Sequence, residues 1–146
     1  MIPIDEKQAV TAILTKAGIP AATPEDARIV RIENGRPRYG EEITERYLVQ
    51  ETDQLRAVHF SKGCYLGQEI VERVRAQGHV NKKLVRLEID GDDPVAAGTK
   101  LADVGEITSS VFSPGAGKVV ALAYARTQHA EAGTVLDANG RTARVM

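Results

Sequence analysis

The sequence has no tryptophan, two phenylalanines and a single cysteine. One cysteine excludes an internal disulfide and is typical of a reducing compartment, so we expect a cytoplasmic protein. The scarcity of aromatic residues argues against a surface on which nucleic-acid bases stack. The net charge of −1 gives no general attraction to nucleic acid or to an anionic membrane. No apolar run is long enough to span a bilayer, and the first residues lack the pattern of a secretory signal.

The first half of the chain has helical periodicity. Apolar residues at i, i+3, i+4 and i+7 predict an amphipathic helix over 5–17. The run T-P-E-D that begins at Thr23 supplies an N-cap, a first-turn proline and two acids, so a second helix should reach about residue 32. A third helix is predicted over 66–76, with Gly78 as its end. The stretch 41–53 is polar and acidic and offers few core positions.

A short buried segment is expected at Val58 and Phe60, between the polar stretch and the third helix. After residue 80 the apolar period changes from that of a helix to two, because Val85, Leu87 and Ile89 alternate with polar residues. Short strands are predicted at 85–90, 100–104, 106–112, 118–126, 134–138 and 141–145. The dipeptide Asn139-Gly140 is a strong hairpin signal between the last two. This spacing predicts a small antiparallel barrel or sandwich.

The only cysteine lies in the run K-G-C-Y-L-G-Q-E at 62–69, directly before the third predicted helix. Gly63 and Gly67 allow backbone conformations closed to other residues, or the close approach of a ligand. The free amides of a helix start and the Lys62 ammonium both favour a thiolate, so Cys64 is a candidate functional thiol. Arg73 follows Glu69 by four residues, and this spacing predicts an ion pair on the helix surface.

Other readings of this segment stay open. A lone cysteine is more often a small buried apolar residue than a nucleophile. Glu69 has an ordinary explanation, since acids stabilise helix starts. Cysteine–histidine pairs are conceivable with His59, His79 or His129, but spacing favours none of them. One cysteine and three scattered histidines show no metal-ligand spacing, so no metal site is predicted.

Two further segments accompany the cysteine run. They are R-I-E-N-G-R-P-R-Y-G at 31–40, and G-E-I-T-S-S at 105–110 with A-L-A-Y after it at 121–124. In this order the three segments resemble the folate-binding YgfZ/GcvT family, from about residue 25 onward. That family includes the aminomethyltransferase of the glycine cleavage system and YgfZ-type proteins linked to iron–sulfur cluster assembly and repair. The cysteine run points to the YgfZ branch, through Gly63, Cys64, Tyr65, Gly67, Gln68 and Glu69.

The resemblance implies an α+β fold with two parts. Residues 1–81 would be part of a folate-binding body, and residues 82–146 a C-terminal antiparallel β-barrel. The implied cofactor is tetrahydrofolate. The glutamate of R-x-E-x-G, here Glu33, would hydrogen-bond the pterin ring, and a carboxylate suits that edge because it accepts two N–H bonds. Lys62 falls near the place of a ligand-contacting arginine, although a lysine is a point charge and not a planar fork. The alternative for Glu33 is a solvated acid at a helix end.

One departure from the family limits these expectations. Relatives carry a long region ahead of R-x-E-x-G that holds much of the folate pocket and, in aminomethyltransferases, the catalytic aspartate. A complete transferase site is therefore not expected within this chain. Three interpretations follow: a tetrahydrofolate-binding YgfZ-type protein that serves iron–sulfur proteins, an aminomethyltransferase that passes a methylene group to tetrahydrofolate, or a fragment that folds but binds nothing tightly. An apolar face left open in the N-terminal region would favour a homodimer.

Overall fold

The computed structural model describes residues 6–146, apart from the side chain of Gln77. Within this range three α-helices precede six β-strands, which confirms the α+β class. The helices are α1 (Lys7–Lys16), α2 (Pro24–Glu33) and α3 (Gln68–Gln77). The strands are β1 (Lys82–Ile89), β2 (Lys100–Leu101), β3 (Gly105–Ser113), β4 (Lys118–Arg126), β5 (Val135–Asp137) and β6 (Thr142–Val145). No helix of the described range is long and apolar enough to cross a membrane.

The strands form one antiparallel sheet in the order β2-β3-β4-β1-β6-β5, curled into a nearly closed barrel. The alternation predicted in β1 is observed, since Val85, Leu87 and Ile89 are all buried. They point into a single apolar core that takes residues from every strand of the barrel. Burial of one such side chain contributes about 1.5–3 kcal/mol, so this core is the main source of the barrel's stability.

β4 is buried on both of its faces. Every residue from Val119 to Ala125 is shielded from solvent, and alternate side chains enter the inner core. Of the other three, Val120 and Leu122 pack outward in a cluster with Ile32 of α2, and Tyr124 is also buried. A strand covered on both sides reads as a continuous apolar run, which is what the sequence V-V-A-L-A-Y-A shows. Helix α2 therefore closes the outer face of the barrel at β4.

Helix α2 begins with a complete capping box. The Thr23 hydroxyl accepts from the Asp26 amide at 3.1 Å, and the Asp26 carboxylate accepts from the Thr23 amide at 2.7 Å. By contrast, none of the α1 residues is buried, and Ile13 is 67% exposed. The amphipathic pattern of the first predicted helix is thus present, but its apolar stripe has no cover among the described residues. Asp5, at the predicted start of that helix, lies outside them.

Two local expectations have different outcomes. Asn139 and Gly140 have φ angles of +57° and +82°, as a two-residue type I′ hairpin requires, and they join β5 to β6. The buried segment expected around Phe60 is wrong, because the Phe60 side chain is 41% exposed and no strand forms there. Its ring lies 4.5 Å from the Arg75 guanidinium of α3, so it contacts a cation at the surface and not the core.

Candidate functional site at the end of helix α2

The glycine of the R-x-E-x-G segment ends helix α2. Gly35 has φ +63°, its amide donates to the Ile32 carbonyl, and the Arg36 amide donates to the Arg31 carbonyl. These two bonds form a Schellman motif, which satisfies carbonyls that the helix end would otherwise leave open. Any other residue would be strained at this left-handed position. The glycine of the segment thus has a structural reason that needs no ligand.

The arginine of the same segment is also structural. The Arg31 guanidinium donates to Glu42 at 2.8 Å, to Glu41 at 2.9 Å and to the Arg36 carbonyl at 3.0 Å. It thereby fastens the loop after α2 back onto the helix. Glu41 is shared with Arg28 at 2.8 Å, so two arginines of one helix face hold one carboxylate. Arg31 Nε is buried without a hydrogen-bond partner in the described range.

Glu42 is fully buried and is the centre of the contact between this loop and the barrel. One carboxylate oxygen accepts from Arg31 and from the Arg38 amide at 2.9 Å. The other accepts from the hydroxyls of Thr108 at 3.0 Å and Ser109 at 2.5 Å, both on β3. A buried carboxylate is stable only when its acceptor sites are filled in this way. Residues 41–53 offer few core positions, as predicted: only Glu42 and Thr52 are buried among them.

Glu33 is the remaining member of the segment, and its side chain contacts the barrel. Its Oε1 accepts from the Ser113 hydroxyl at 2.5 Å, and its main-chain carbonyl accepts from the Arg86 guanidinium at 2.5 Å. The Ser113 hydroxyl in turn accepts from the Ala116 amide at 3.0 Å. The carboxylate therefore lies against the β3–β4 hairpin, half-buried, and its Oε2 has no partner among residues 6–146.

The cysteine run adopts a tight turn into α3. Gly67 occupies the N-cap with φ +86°, and the Gln68 side chain reaches back to accept from the Tyr65 amide at 3.2 Å. The Lys62 ammonium lies 5.4 Å from the centre of the Tyr65 ring. α3 starts two residues later than the predicted 66, because Gly67 takes a left-handed conformation that a helix cannot contain.

Cys64 is free and exposed, so the reading of a buried apolar cysteine is wrong. The predicted ion pair between Glu69 and Arg73 does not form; the pair on this helix joins Glu72 and Arg75 at 3.6 Å. Both predicted partners are exposed, where a pair gains little against side-chain entropy. Gly63 has open space around it and no positive φ, so its turn does not depend on glycine geometry.

The structure does not join the two candidate positions directly. Glu33 is bonded to the barrel hairpin, Cys64 is solvent-exposed, and no hydrogen bond or ion pair connects Glu33 with 62–69 in the described part of the chain. The same part contains no group of three or more histidine, cysteine or acidic side chains that could hold a metal ion. Sequence reasoning missed Glu42 entirely. The one signal in the sequence was the nearby Arg31, since an arginine that becomes partly buried needs a carboxylate partner.

Residues 82–145 match the family of glycine cleavage T-protein C-terminal barrel domains. Among curated proteins, the aminomethyltransferase of Rippkaea orientalis is 34% identical over 115 residues, covering 74% of this chain and 30% of that protein. The tRNA-modifying protein YgfZ of Colwellia psychrerythraea is 30% identical over 95 residues, covering 64% of this chain and 29% of that protein. The chain thus spans about 30% of the length of these relatives.

The fold agrees with a solved structure of the same kind. The glycine cleavage system aminomethyltransferase T of Bartonella henselae superposes with a TM-score of 0.83 at 21% identity, covering 99% of this chain and 43% of that one. At this identity the likeness shows the fold alone. Together with the barrel family and the curated relatives, it identifies the chain as of the GcvT/YgfZ type, matching the C-terminal portion of its relatives, with an aminomethyltransferase-like C-terminal barrel.

Proposed function

We propose that this chain supplies the C-terminal part of a tetrahydrofolate site in a YgfZ-type protein that supports iron–sulfur cluster assembly or repair. One observation carries the proposal. Glu33 is held at a helix end by Ser113 through one carboxylate oxygen, while the other oxygen is free to accept from a ligand. A half-buried carboxylate fixed in this way is suited to the two N–H donors of a pterin edge, because little side-chain entropy is lost on binding.

The test is a calorimetric titration with tetrahydrofolate, on this chain and on the longest protein that its gene encodes. Glu33→Gln keeps an acceptor for Ser113 but removes the charge and one acceptor, so we expect at least tenfold weaker binding in the longer protein. Glu25→Gln, an exposed acid on the same helix, is the matched control and should leave binding unchanged. The same affinity in both variants would contradict the role of Glu33. If tetrahydrofolate binds neither of the two wild-type proteins, the interpretation as a fragment that binds nothing tightly is favoured.

The YgfZ branch is favoured by the segment 62–69, in which an exposed thiol precedes a glycine-capped helix. We propose that Cys64 is a functional thiol and that Lys62 contacts the ligand. The remaining members of the proposed motif are Gly63, Tyr65, Gly67, Gln68, Glu69 and Arg73; of these, Gly67 and the Gln68 side chain shape the turn into the helix.

Complementation tests the thiol. In a strain that lacks its own YgfZ-type protein, the full gene product should restore iron–sulfur enzyme activity, and Cys64→Ala should not. Ser61→Ala, at another exposed position beside the run, is the control. Full restoration by Cys64→Ala would show that the thiol is not required. The folate titration is an independent test of Glu33.

An aminomethyltransferase is the second candidate, and it is favoured by the names of the curated relatives at 32–35% identity. Such an enzyme would transfer a methylene group from an aminomethyl carrier to tetrahydrofolate and release ammonia. Cys64 has no part in that chemistry, so Cys64→Ala would leave it intact. Formation of methylenetetrahydrofolate with an aminomethylated lipoyl carrier protein would support this candidate, and its absence with the full gene product would exclude it.

We also propose that the chain divides into a folate-binding part, 1–81, and a barrel, 82–146. The matched barrel family begins at residue 82, where β1 also begins. The exposed apolar residues Ile13 and Leu14 of α1 are candidates for a homodimer contact. Light scattering of the wild type and of Leu14→Glu gives their molecular masses and tests this contact. A dimeric wild type and a monomeric variant would support it. A cytoplasmic location remains part of the proposal, and cell fractionation tests it.

A further inference from the structure

We propose that the basic cleft at the other end of the barrel binds the phosphate group of a small-molecule ligand. The basic cleft is an open concavity of about 340 Å³ bordered by four cationic side chains, those of Arg46, Lys82, Lys100 and Arg126. This volume is near the lower end of small-molecule sites, which suits a compact phosphate ester.

Strand register places two of these cations directly opposite each other. Lys82 begins β1, Arg126 ends β4, and the two residues are partners in the antiparallel pairing. Like charges at directly opposed positions destabilise a strand pair. Neither side chain has an ion-pair partner among residues 6–146, and both are exposed. The repulsion between Lys82 and Arg126 destabilises the free protein. An anion bound between the two side chains would remove this repulsion, which favours binding.

The lining of the cleft has positive charge in excess. It holds four cations and two carboxylates, those of Glu106 and Asp103, so the lining residues carry two more positive than negative charges. Lys100 is paired with Glu106. The hydrogen bond from Lys100 lowers the pKa of Glu106, and the nearby charges of Arg46 and Lys82 act in the same direction. These cations therefore converge on one region. A phosphate monoester carries about −1.5 to −2 charges at pH 7, which matches the excess.

An aromatic pair forms one wall of the cleft. Tyr47 stacks on Tyr124 with 3.5 Å between ring centres and 11° between planes. Burial raises the pKa of both phenols, so the wall stays neutral at physiological pH and adds no negative charge. The Arg46 guanidinium lies 5.8 Å from the Tyr47 ring, which restrains it beside the opening. A rigid apolar wall beside a cationic rim suits the organic group of a phosphate ester.

This cleft is separate from the position of Glu33. Ser113, which bonds Glu33, is the last residue of β3, whereas Gly105 at the cleft is the first. A strand rises about 3.4 Å per residue, so the two places lie roughly 25 Å apart along the barrel. The basic cleft is therefore not an extension of the proposed pterin contact, and the two proposals fail independently.

The test is a titration of the chain, followed by NMR at low ionic strength, with inorganic phosphate and with adenosine monophosphate as probes. Lys82→Gln and Arg126→Gln should each weaken binding of both probes at least fivefold. Lys83→Gln is the matched control, because Lys83 is the next residue of β1 and borders a different cleft, and it should leave binding unchanged. Glu106→Gln should strengthen binding severalfold, a change that loss of folding would not produce.

Three results would overturn the proposal. The first is equal binding by the Lys82 and Lys83 variants with unchanged thermal unfolding. The second is no saturation by either probe up to about 10 mM, ten times a Kd of about 1 mM. The third is a short single-stranded RNA that binds at least a hundredfold more tightly than adenosine monophosphate and loses that affinity in Arg126→Gln, which would make the ligand a nucleic-acid backbone.

Discussion

Replacement of Glu42 by alanine should be the most damaging single change in the contact between α2, its following loop and the barrel. The carboxylate is fully buried and accepts four hydrogen bonds, from Arg31, the Arg38 amide, Thr108 and Ser109. The alanine variant leaves the Arg31 guanidinium without this partner at 15% side-chain exposure. Loss of one member of a buried ion pair costs about 3–5 kcal/mol of unfolding free energy, and we expect that range here.

Two matched variants separate the causes of this loss. Glu42→Gln keeps the shape and can accept from Arg31 and Arg38 through its amide oxygen. Its amide nitrogen then faces the two hydroxyls of β3, which can rotate to accept. We expect a loss of about 1–3 kcal/mol, the cost of imperfectly satisfied buried polar groups. Glu41→Ala removes an acid next in sequence with pairs to Arg28, Arg31 and Arg38, but at 24% exposure, so about 1 kcal/mol is expected.

Urea unfolding followed by far-ultraviolet circular dichroism measures all three values. With a slope of about 1–3 kcal/mol per molar urea, a loss of about 3–5 kcal/mol lowers the Glu42→Ala midpoint by roughly 1–5 M. Near-ultraviolet dichroism gives a local reading, since the Tyr124 hydroxyl donates to the Glu42 carbonyl at 3.0 Å and its ring stacks on Tyr47. If Glu42→Ala lost no more stability than Glu41→Ala, the claim that this buried carboxylate holds the loop to the barrel would be refuted.

The tyrosine pair, the cap of α2 and the packing at Gly105 each give a further prediction. Because burial raises the pKa of Tyr47 and Tyr124, an ultraviolet titration should show these phenols ionising above the ordinary value of about 10. Stability should then fall as pH rises past 10, since the folded state keeps protons that the unfolded state releases; joint ionisation of all four tyrosines near 10 would contradict this. Thr23→Ala removes a helix cap and should cost about 1 kcal/mol in urea unfolding. The amide and then the hydroxyl of Thr23 lower the pKa of Asp26 through hydrogen bonds; the variant keeps the amide bond and loses the hydroxyl bond, so this pKa should rise part of the way back, as NMR titration would measure. In Gly105→Ala a new Cβ would lie 2.4 Å from the Tyr124 carbonyl oxygen, so a loss of about 1–3 kcal/mol is expected, and an unchanged melting temperature would be inconsistent with this packing.

Local pattern predicted most of the secondary structure because each element has a short-range cause. The alternation in β1 reflects one core face, the T-P-E-D run at 23–26 forms a capping box, and the Asn139-Gly140 turn needs only its own backbone angles. β4 lacks alternation, but it forms at the predicted positions 118–126. Its continuous apolar run is typical of a strand that is covered on both faces. These features depend on residues within a few positions of one another.

Contacts between distant segments were not predictable in the same way. Glu42 looks like a surface acid in a polar stretch, and its partners on β3 lie more than sixty positions away in sequence. Phe60 looks like a core residue, but the chain around it forms no regular element that could carry it inward. Whether a charged or an aromatic side chain is buried depends on which surfaces meet, and periodicity carries no information about that.

The two candidate positions differ in how the fold supports them, and this difference bears on function. Glu33 is held by Ser113, and α2 is packed on the barrel through Ile32, so its geometry is set within this chain. Cys64 is exposed, and nearby Leu66 has its whole side chain in solvent. A singly exposed apolar side chain is normal on a protein surface and does not by itself indicate a partner. The proposed folate contact of Glu33 is therefore supported by the barrel, whereas the proposed thiol of Cys64 lies on an exposed turn.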